Sequence, residues 1–179
     1  MATFKDRIIA GRWRGRGLVL PKSESVRPTR NRVRQAAFNL LTARMAWQGT
    51  AVVDLCCGSG AWGLEAASRG AAKVVLVDSE VAVAKDNVAA LGAGQVQVVK
   101  ADVRAWAPGQ AFDVVLADPP YGRGMAQALL ARTETLGKGG SWWCVETASD
   151  EELDWNGFVD VDFRDYGVSR IWVGRLGTR

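Results

Sequence analysis

From residue 51 onward the chain alternates short apolar runs with stretches of helical period. Segments 51–55, 73–78, 95–100, 112–117 and 141–146 are of strand length and mostly apolar. Strands of that kind are buried on both faces, which predicts a parallel sheet covered by helices. Between them, 61–69, 80–91 and 125–136 read as helices, with Gly70 and Gly92 placed as C-terminal stops. The last segment changes period. Val159, Val161 and Phe163 alternate with acidic residues, and Tyr166-Gly167 makes a turn before Ile171-Trp172-Val173. This predicts a closing antiparallel hairpin. The fold class is therefore α/β, and no internal repeat is visible.

The first 45 residues follow another pattern. Segments 7–11 and 17–20 read as two short strands joined by a turn rich in Gly and Arg. Pro21 and Pro28 bracket an extended link, and Thr29 is placed to cap a helix. Val33, Ala36, Ala37, Leu40 and Leu41 then follow the spacing of an amphipathic helix. Arg30 and Arg34 fall on one edge of its apolar stripe and Arg32 near the other.

Charge sharpens the contrast between the two parts. Residues 1–45 hold eleven Lys/Arg against Asp6 and Glu24, whereas the remainder holds twelve against seventeen acids. A basic extension on a mildly acidic body suits a polyanionic partner, and it also suits a solubilising tail. A length of 179 residues with 48% hydrophobic content fits one globular domain. No apolar run reaches membrane-span length, and no signal-peptide pattern opens the sequence, so a cytoplasmic location is expected. The absence of histidine excludes His-based acid–base chemistry and His-ligated metal sites. Three cysteines, two of them adjacent at Cys56 and Cys57, fit neither a disulfide framework nor a zinc site. No metal is expected.

The segment Asp54-Leu55-Cys56-Cys57-Gly58-Ser59-Gly60-Ala61-Trp62-Gly63 joins the first strand of the body to its helix. Gly58-x-Gly60-x-x-Gly63 matches a dinucleotide fingerprint, and Asp78 ends the next strand. Such a loop serves NAD and S-adenosylmethionine alike. Asp54 decides between them, because a carboxylate there sits poorly beside a pyrophosphate and well beside an ammonium and a sulfonium. Asp102, after the third strand, offers an acceptor for an adenine amine. The expected cofactor contacts are Asp54, Cys56, Gly58, Gly60, Asp78, Ser79, Asp102, Val103 and Asp118.

Asp118-Pro119-Pro120-Tyr121 follows the fourth strand at the same sheet edge. Two prolines give a rigid backbone with carbonyl acceptors and no N–H donors. The matching substrate is an exocyclic base amine, whose lone pair must be localised on nitrogen before it attacks a methyl group. Asp118 and the Pro119 carbonyl can each accept one of its N–H bonds, while Tyr121 stacks on the base. Cytosine-C5 chemistry would need a nucleophilic cysteine. Cys56 and Cys57 lie in the glycine loop and Cys144 in an apolar strand, so all three read as core or loop residues. Most of the eight tryptophans read as core, with Trp13, among arginines, the candidate for contact with nucleic acid.

Taken together, these motifs resemble the RsmD-type 16S rRNA guanine-N2 methyltransferases of bacteria. The resemblance rests on the run from Arg7 to Arg16, on Arg27-Pro28-Thr29, and on Arg32-Val33-Arg34-Gln35 with Phe38-Asn39. It continues through the glycine loop, Ser68-Arg69-Gly70-Ala71, Asp118–Tyr121 and Tyr166-Gly167. It implies a Rossmann-like class I methyltransferase with a seven-stranded sheet and a small N-terminal extension. It further implies S-adenosyl-L-methionine as cofactor and methylation of a guanine N2 amine in small-subunit rRNA. Residues 1–45 would contact RNA through Arg12, Trp13, Arg14, Arg16, Arg27, Arg30, Arg32 and Arg34, and 46–179 would form the catalytic domain of a monomer. Asp78 stands where relatives often carry the longer Glu. Rival readings are a DNA adenine-N6 methyltransferase, which lacks here a segment long enough for DNA recognition, and a non-catalytic RNA-binding assembly factor.

Overall fold

The computed structural model describes residues 6–21 and 28–178. Nine strands and five helices occur among them: β1 (Asp6–Arg7), β2 (Gly17–Leu18), α1 (Pro28–Thr42), β3 (Ala51–Leu55), α2 (Ala61–Arg69), β4 (Lys73–Asp78), α3 (Ala82–Leu91), β5 (Val96–Lys100), β6 (Phe112–Ala117), α4 (Met125–Leu130), α5 (Thr133–Leu136), β7 (Gly137–Ala148), β8 (Phe158–Tyr166) and β9 (Ser169–Leu176). Strands β3 to β9 form one sheet in the order β5-β4-β3-β6-β7-β9-β8. The first five of that order run parallel, and β9 pairs antiparallel with both β7 and β8. Order reverses between β3 and β6, which is where open α/β sheets bind ligands.

The sheet separates two apolar layers. Val53, Leu55, Val75, Val77, Val115 and Trp143 face one side with α4 and α5. Val52, Val74, Leu76, Val114 and Leu116 face the other, where α1 and α2 supply Phe38, Leu41 and Leu64. Alternation along each strand places successive residues in opposite layers, so both faces must be apolar.

The N-terminal extension is part of this second layer. Ile8, Trp13 and Leu18 are buried in the same cluster as the sheet residues. Buried polar groups of the body hold its backbone. Fully buried Glu65 on α2 accepts the Ile9 and Ala10 N–H groups at 2.7 and 3.0 Å and the Arg69 Nε–H at 2.8 Å. Ser68 Oγ accepts the Trp13 N–H at 2.9 Å and donates to the Ala10 carbonyl at 2.6 Å. Asn87 on α3 pairs with both backbone groups of Val19 and donates to the Ser59 carbonyl, which ties the extension to the glycine loop. Gly11 makes this contact feasible: a Cβ there would lie 1.9 Å from the Ser68 carbonyl oxygen.

Several boundaries differ from the expected ones. The hairpin keeps only two residues per strand, because residues 8–16 turn toward α2 to reach Glu65 and Ser68. Helix α1 begins at Pro28, a favoured first helical position, so Thr29 is inside it instead of capping it. The stretch 80–91 starts its helix at Ala82, since Asp78 Oδ1 engages Ser79 and the Glu80 N–H in a turn. The stretch 125–136 breaks into α4 and α5 around Arg132, whose guanidinium donates to the Val103 and Trp106 carbonyls. Strand β7 is twelve residues long and carries an irregularity opposite Phe112–Val114.

Candidate active site

The C-terminal ends of β3, β4 and β6 converge on one sheet edge. Strand β3 ends in Asp54-Leu55, after which Cys56 takes a left-handed backbone conformation (φ 60°), a strained choice for a side chain with a Cβ. Two carboxylates lock the turn that follows. Asp54 Oδ2 accepts the Gly63 N–H at 2.8 Å, and Asp78 Oδ2 accepts the Gly58 N–H at 2.9 Å. Gly63 is required by packing: a Cβ there would stand 2.2 Å from Leu76 Cδ2 and 3.0 Å from Val74 Cγ1. The third glycine of the fingerprint therefore lets α2 press against β4. Asp54 is 1% exposed, and burial, opposed by the Gly63 hydrogen bond, pushes its carboxyl up to about 7.

A cavity of about 420 Å³ opens beside this turn, within the usual size range of small-molecule sites. One wall is the glycine loop from Cys56 to Ser59 with Trp62, and the opposite wall is Asp118-Pro119-Pro120-Tyr121. Asp118 is half-buried, Pro119 buried and Pro120 exposed. Tyr121 is anchored at its hydroxyl, which donates to Glu146 Oε1 and shares a 2.7 Å hydrogen bond with Ser169 Oγ. Burial and the Glu146 carboxylate push the phenol above its ordinary value, so it stays protonated. Burial pushes the Cys56 thiol up to about 12 and raises Cys57 and Cys144 further. None of the three is a thiolate nucleophile at neutral pH.

Of the expected cofactor residues, Cys56, Gly58 and Asp118 line the cavity. Asp54 and Gly60 lie beneath the loop and shape it from behind. Asp78, Ser79, Asp102 and Val103 continue along the sheet edge outside the cavity wall. Asp102 is exposed, and its carboxylate accepts the Arg104 backbone N–H at 2.9 Å and the Arg104 side chain at 2.9 and 3.1 Å. Those hydrogen bonds hold it below the usual carboxylate range. Val103 is buried, and its carbonyl is held by Arg132. Acids that end adjacent strands beside a half-polar cavity fit a cationic sulfonium cofactor with an adenosine moiety.

The arginines divide. Arg12, Arg14, Arg16 and Arg32 are exposed, and Arg16 donates to the Ala90 carbonyl at 2.9 Å. Arg34 and Trp13 do not fit the expectation of RNA contact. Arg34 is 2% exposed, with its guanidinium paired to both oxygens of Asp6 at 2.8 Å and donating to the Arg7 carbonyl. Its charge is already matched, and it fastens β1 to α1. Trp13 is 5% exposed and packs in the core with Arg12 over its ring. Arg27 and the side chain of Arg30 lie outside the described residues. The sequence reading missed Glu146, Tyr166 and Ser169, which all line the cavity, and exposed Arg123 just after the Asp118–Tyr121 motif. Glu146 carried a readable signal, since it ends the apolar part of its strand as Asp54, Asp78 and Asp118 end theirs.

A parallel sheet closed by an antiparallel strand, a glycine loop after β3 and Asp-Pro-Pro-Tyr after β6 together define a class I methyltransferase with a Rossmann-like fold. The family model described as Conserved hypothetical protein 95 matches residues 6–175, and the chain belongs to that family. Ribosomal RNA small subunit methyltransferase D of Escherichia coli K12 is 38% identical over 141 residues, covering 73% of this chain and 68% of the relative. The protein of the same name from Haemophilus influenzae is 36% identical over 159 residues, covering 82% and 81%. The solved structure of yhhF from Escherichia coli, described as a methyltransferase, is 29% identical and superposes with a TM-score of 0.83 over 97% of this chain and 99% of that one. Among the described residues, no helix is long and apolar enough to cross a membrane, and no group of three or more His, Cys, Asp or Glu could hold a metal.

Proposed function

We propose that the protein methylates the exocyclic N2 amine of a guanine in small-subunit (16S) ribosomal RNA, with S-adenosyl-L-methionine as donor and S-adenosyl-L-homocysteine as product. The observation that carries this reading is Asp118-Pro119-Pro120-Tyr121 facing the glycine loop across one cavity. The donor supplies an electrophilic methyl: the N2 lone pair forms the N–C bond as the C–S bond breaks and leaves its electron pair on sulfur. Asp118 and the Pro119 carbonyl accept the amine's N–H bonds and draw its lone pair out of conjugation with the ring. Tyr121, held at its hydroxyl, presents its ring to the base and fixes its plane. The methylated aminium is acidic and loses its proton to Asp118 or water, so the reaction needs no histidine.

The rRNA substrate is supported by the names of the relatives and by the exposed Arg12, Arg14, Arg16 and Arg32, with Arg27 and Arg30 completing the set. In this reading residues 1–45 position the RNA through its phosphates and 46–179 carry out the transfer, in a cytoplasmic monomer. Asp54, Cys56, Gly58, Gly60, Asp78, Ser79, Asp102 and Val103 hold the cofactor or shape its loop. The test is transfer of labelled methyl to naked 16S rRNA, undermethylated small subunits and duplex DNA, followed by digestion to nucleosides. N2-methylguanosine from either RNA sample is expected. N6-methyladenine in DNA would replace the reading with its nearest rival.

A further inference from the structure

Arg123 is an exposed arginine directly beyond the catalytic motif, in the loop Tyr121-Gly122-Arg123-Gly124, and the methyl transfer itself has no use for it. Every other described arginine of residues 46–179 is engaged, Arg132 by two backbone carbonyls and the rest by carboxylates. The guanidinium of Arg123 has neither kind of partner among the described residues. Its loop is also open. Gly122 and Gly124 take left-handed backbone conformations (φ 68° and 64°), and beyond its chain neighbours a Cβ at either would meet no atom within 4 Å. Packing against the protein therefore does not account for this pair of glycines. Their lack of side chains leaves space on both sides of Arg123 through which another backbone can approach. The loop is held at its two ends: the Tyr121 hydroxyl is hydrogen-bonded to Ser169, and the Gly122 N–H donates to Glu151 Oε2 at 3.4 Å before α4 begins at Met125.

The proposed reaction brings a phosphate to this place. An extruded nucleotide turns about its backbone, so its base enters the pocket while its flanking phosphates stay at the mouth. The N2 amine of guanine lies on the minor-groove edge, the edge from which the ribose projects. Presenting that amine to the Asp118–Tyr121 motif draws the sugar and its phosphates up against the motif. An amine on the far edge, such as adenine N6, would leave them farther out. The Cα of Arg123 is at most about 7 Å along the chain from that of Tyr121. A guanidinium there can meet a phosphate with two parallel N–H bonds. We propose that Arg123 is a substrate-binding residue that grips one of the two phosphates flanking the target nucleotide and fixes the RNA backbone while the base stacks on Tyr121. The inference rests on the guanine-N2 reading and adds to it a fixed point for the RNA at the reacting site. Exposed Arg32, next to the cavity-lining Val33 and Arg34 of α1, gives the mouth a second guanidinium from a separate element. Two such points set the direction in which the strand crosses the cavity.

The test uses 16S rRNA, naked or reconstituted into small subunits, that carries one uncharged methylphosphonate linkage on the 5′ or the 3′ side of the mapped target guanosine. The ribose before that linkage is 2′-deoxy in these RNAs and in their phosphate controls, so the linkage is not cleaved. For wild-type protein, neutralising one of the two linkages is expected to lower kcat/KM by about 10-fold or more, the loss of a charge-assisted contact. Arg123→Ala is expected to lose a similar factor on the phosphate controls. On the neutral linkage it should stay within about 2-fold of wild type, because the two changes remove the same contact. Arg123→Lys keeps a point charge without the fork and should fall between the two. The slope of log K against log salt for RNA binding should fall by about 1 in Arg123→Ala. Affinity for S-adenosylhomocysteine within a few-fold of wild type shows that the variants are folded. If Arg123 merely shaped its loop, replacing it would cost the same factor on charged and neutral linkages, which would overturn the proposal. Wild-type indifference to both neutral linkages, or Arg123→Ala as fast as wild type on the controls, would also overturn it. A wild-type failure to form N2-methylguanosine on every phosphate control would instead overturn the guanine-N2 reading, and the phosphate contact with it.

Discussion

Replacing Asp54 by Asn should change how stability depends on pH more than it changes stability at any single pH. In the native protein Asp54 is 1% exposed, and its carboxyl holds a proton up to about pH 7, against an ordinary value of 3.8. Between those values the folded state binds more protons than the unfolded chain. Stability therefore falls as pH rises from about 4 to about 7, and the loss is complete above that. A displacement of this size corresponds to about 4 kcal/mol for the one group. Asn cannot ionise, so the variant lacks this slope, while every other carboxylate contributes nearly equally to both proteins and cancels in the difference. Asn still accepts the Gly63 N–H but buries two amide hydrogens, a pH-independent cost of about 1–3 kcal/mol. The assay is urea unfolding of both proteins without cofactor at pH 4.5, 6, 7 and 8. The variant is expected to gain on the wild type by about 3 kcal/mol across the series, nearly all of it between pH 4.5 and 7, and to level off by pH 8. Parallel stability curves would show that Asp54 titrates normally and that the desolvation argument is wrong.

Other perturbations separate the roles assigned to the N-terminal segment and the loop. Arg34→Ala leaves Asp6 as a buried unpaired charge and should cost about 3–5 kcal/mol in chemical denaturation. Neutralising exposed Arg12, Arg14 and Arg16 together should leave the melting temperature within a few degrees of wild type, yet lower the slope of log K against log salt for RNA binding by about 2 to 3. Unchanged salt dependence would remove those arginines from the phosphate contacts. Glu65→Ala strands the Ile9 and Ala10 N–H groups and Arg69. Limited proteolysis should then cut within residues 6–20 at a protease concentration that leaves the wild type intact. Gly63→Ala forces a methyl into Leu76 and should destabilise by about 1–3 kcal/mol in urea titrations.

The sequence was most readable where one interaction dominates. Apolar strands such as Val74-Val75-Leu76-Val77 have no alternative to burial on both faces, so the sheet and its parallel order followed from pattern. The acids at strand ends and the proline pair were legible because each has a narrow range of chemical uses. What pattern could not show was partner choice over long separation. Arg34 looked like its neighbours Arg30 and Arg32, but in the folded chain it meets Asp6, 28 positions away. Trp13 sits among arginines and still packs into the core, since the turn around Gly11 swings it onto α2. The break at Arg132 depends on carbonyls 26 and 29 residues upstream. Glu146 was visible as a strand-end acid, yet its link to Tyr121 exists only once β6 and β7 are paired.

The most direct test of the chemistry is the single-turnover rate of methyl transfer to small subunits by wild type and by Asp118→Ala, measured beside the affinity of each for S-adenosylhomocysteine. If Asp118 localises the lone pair of the amine, the rate should fall by about 10²–10³, with affinity for S-adenosylhomocysteine within a few-fold of wild type. A rate that matched the wild type would contradict the role given to the Asp118–Tyr121 motif and, with it, the site on which the proposed function stands.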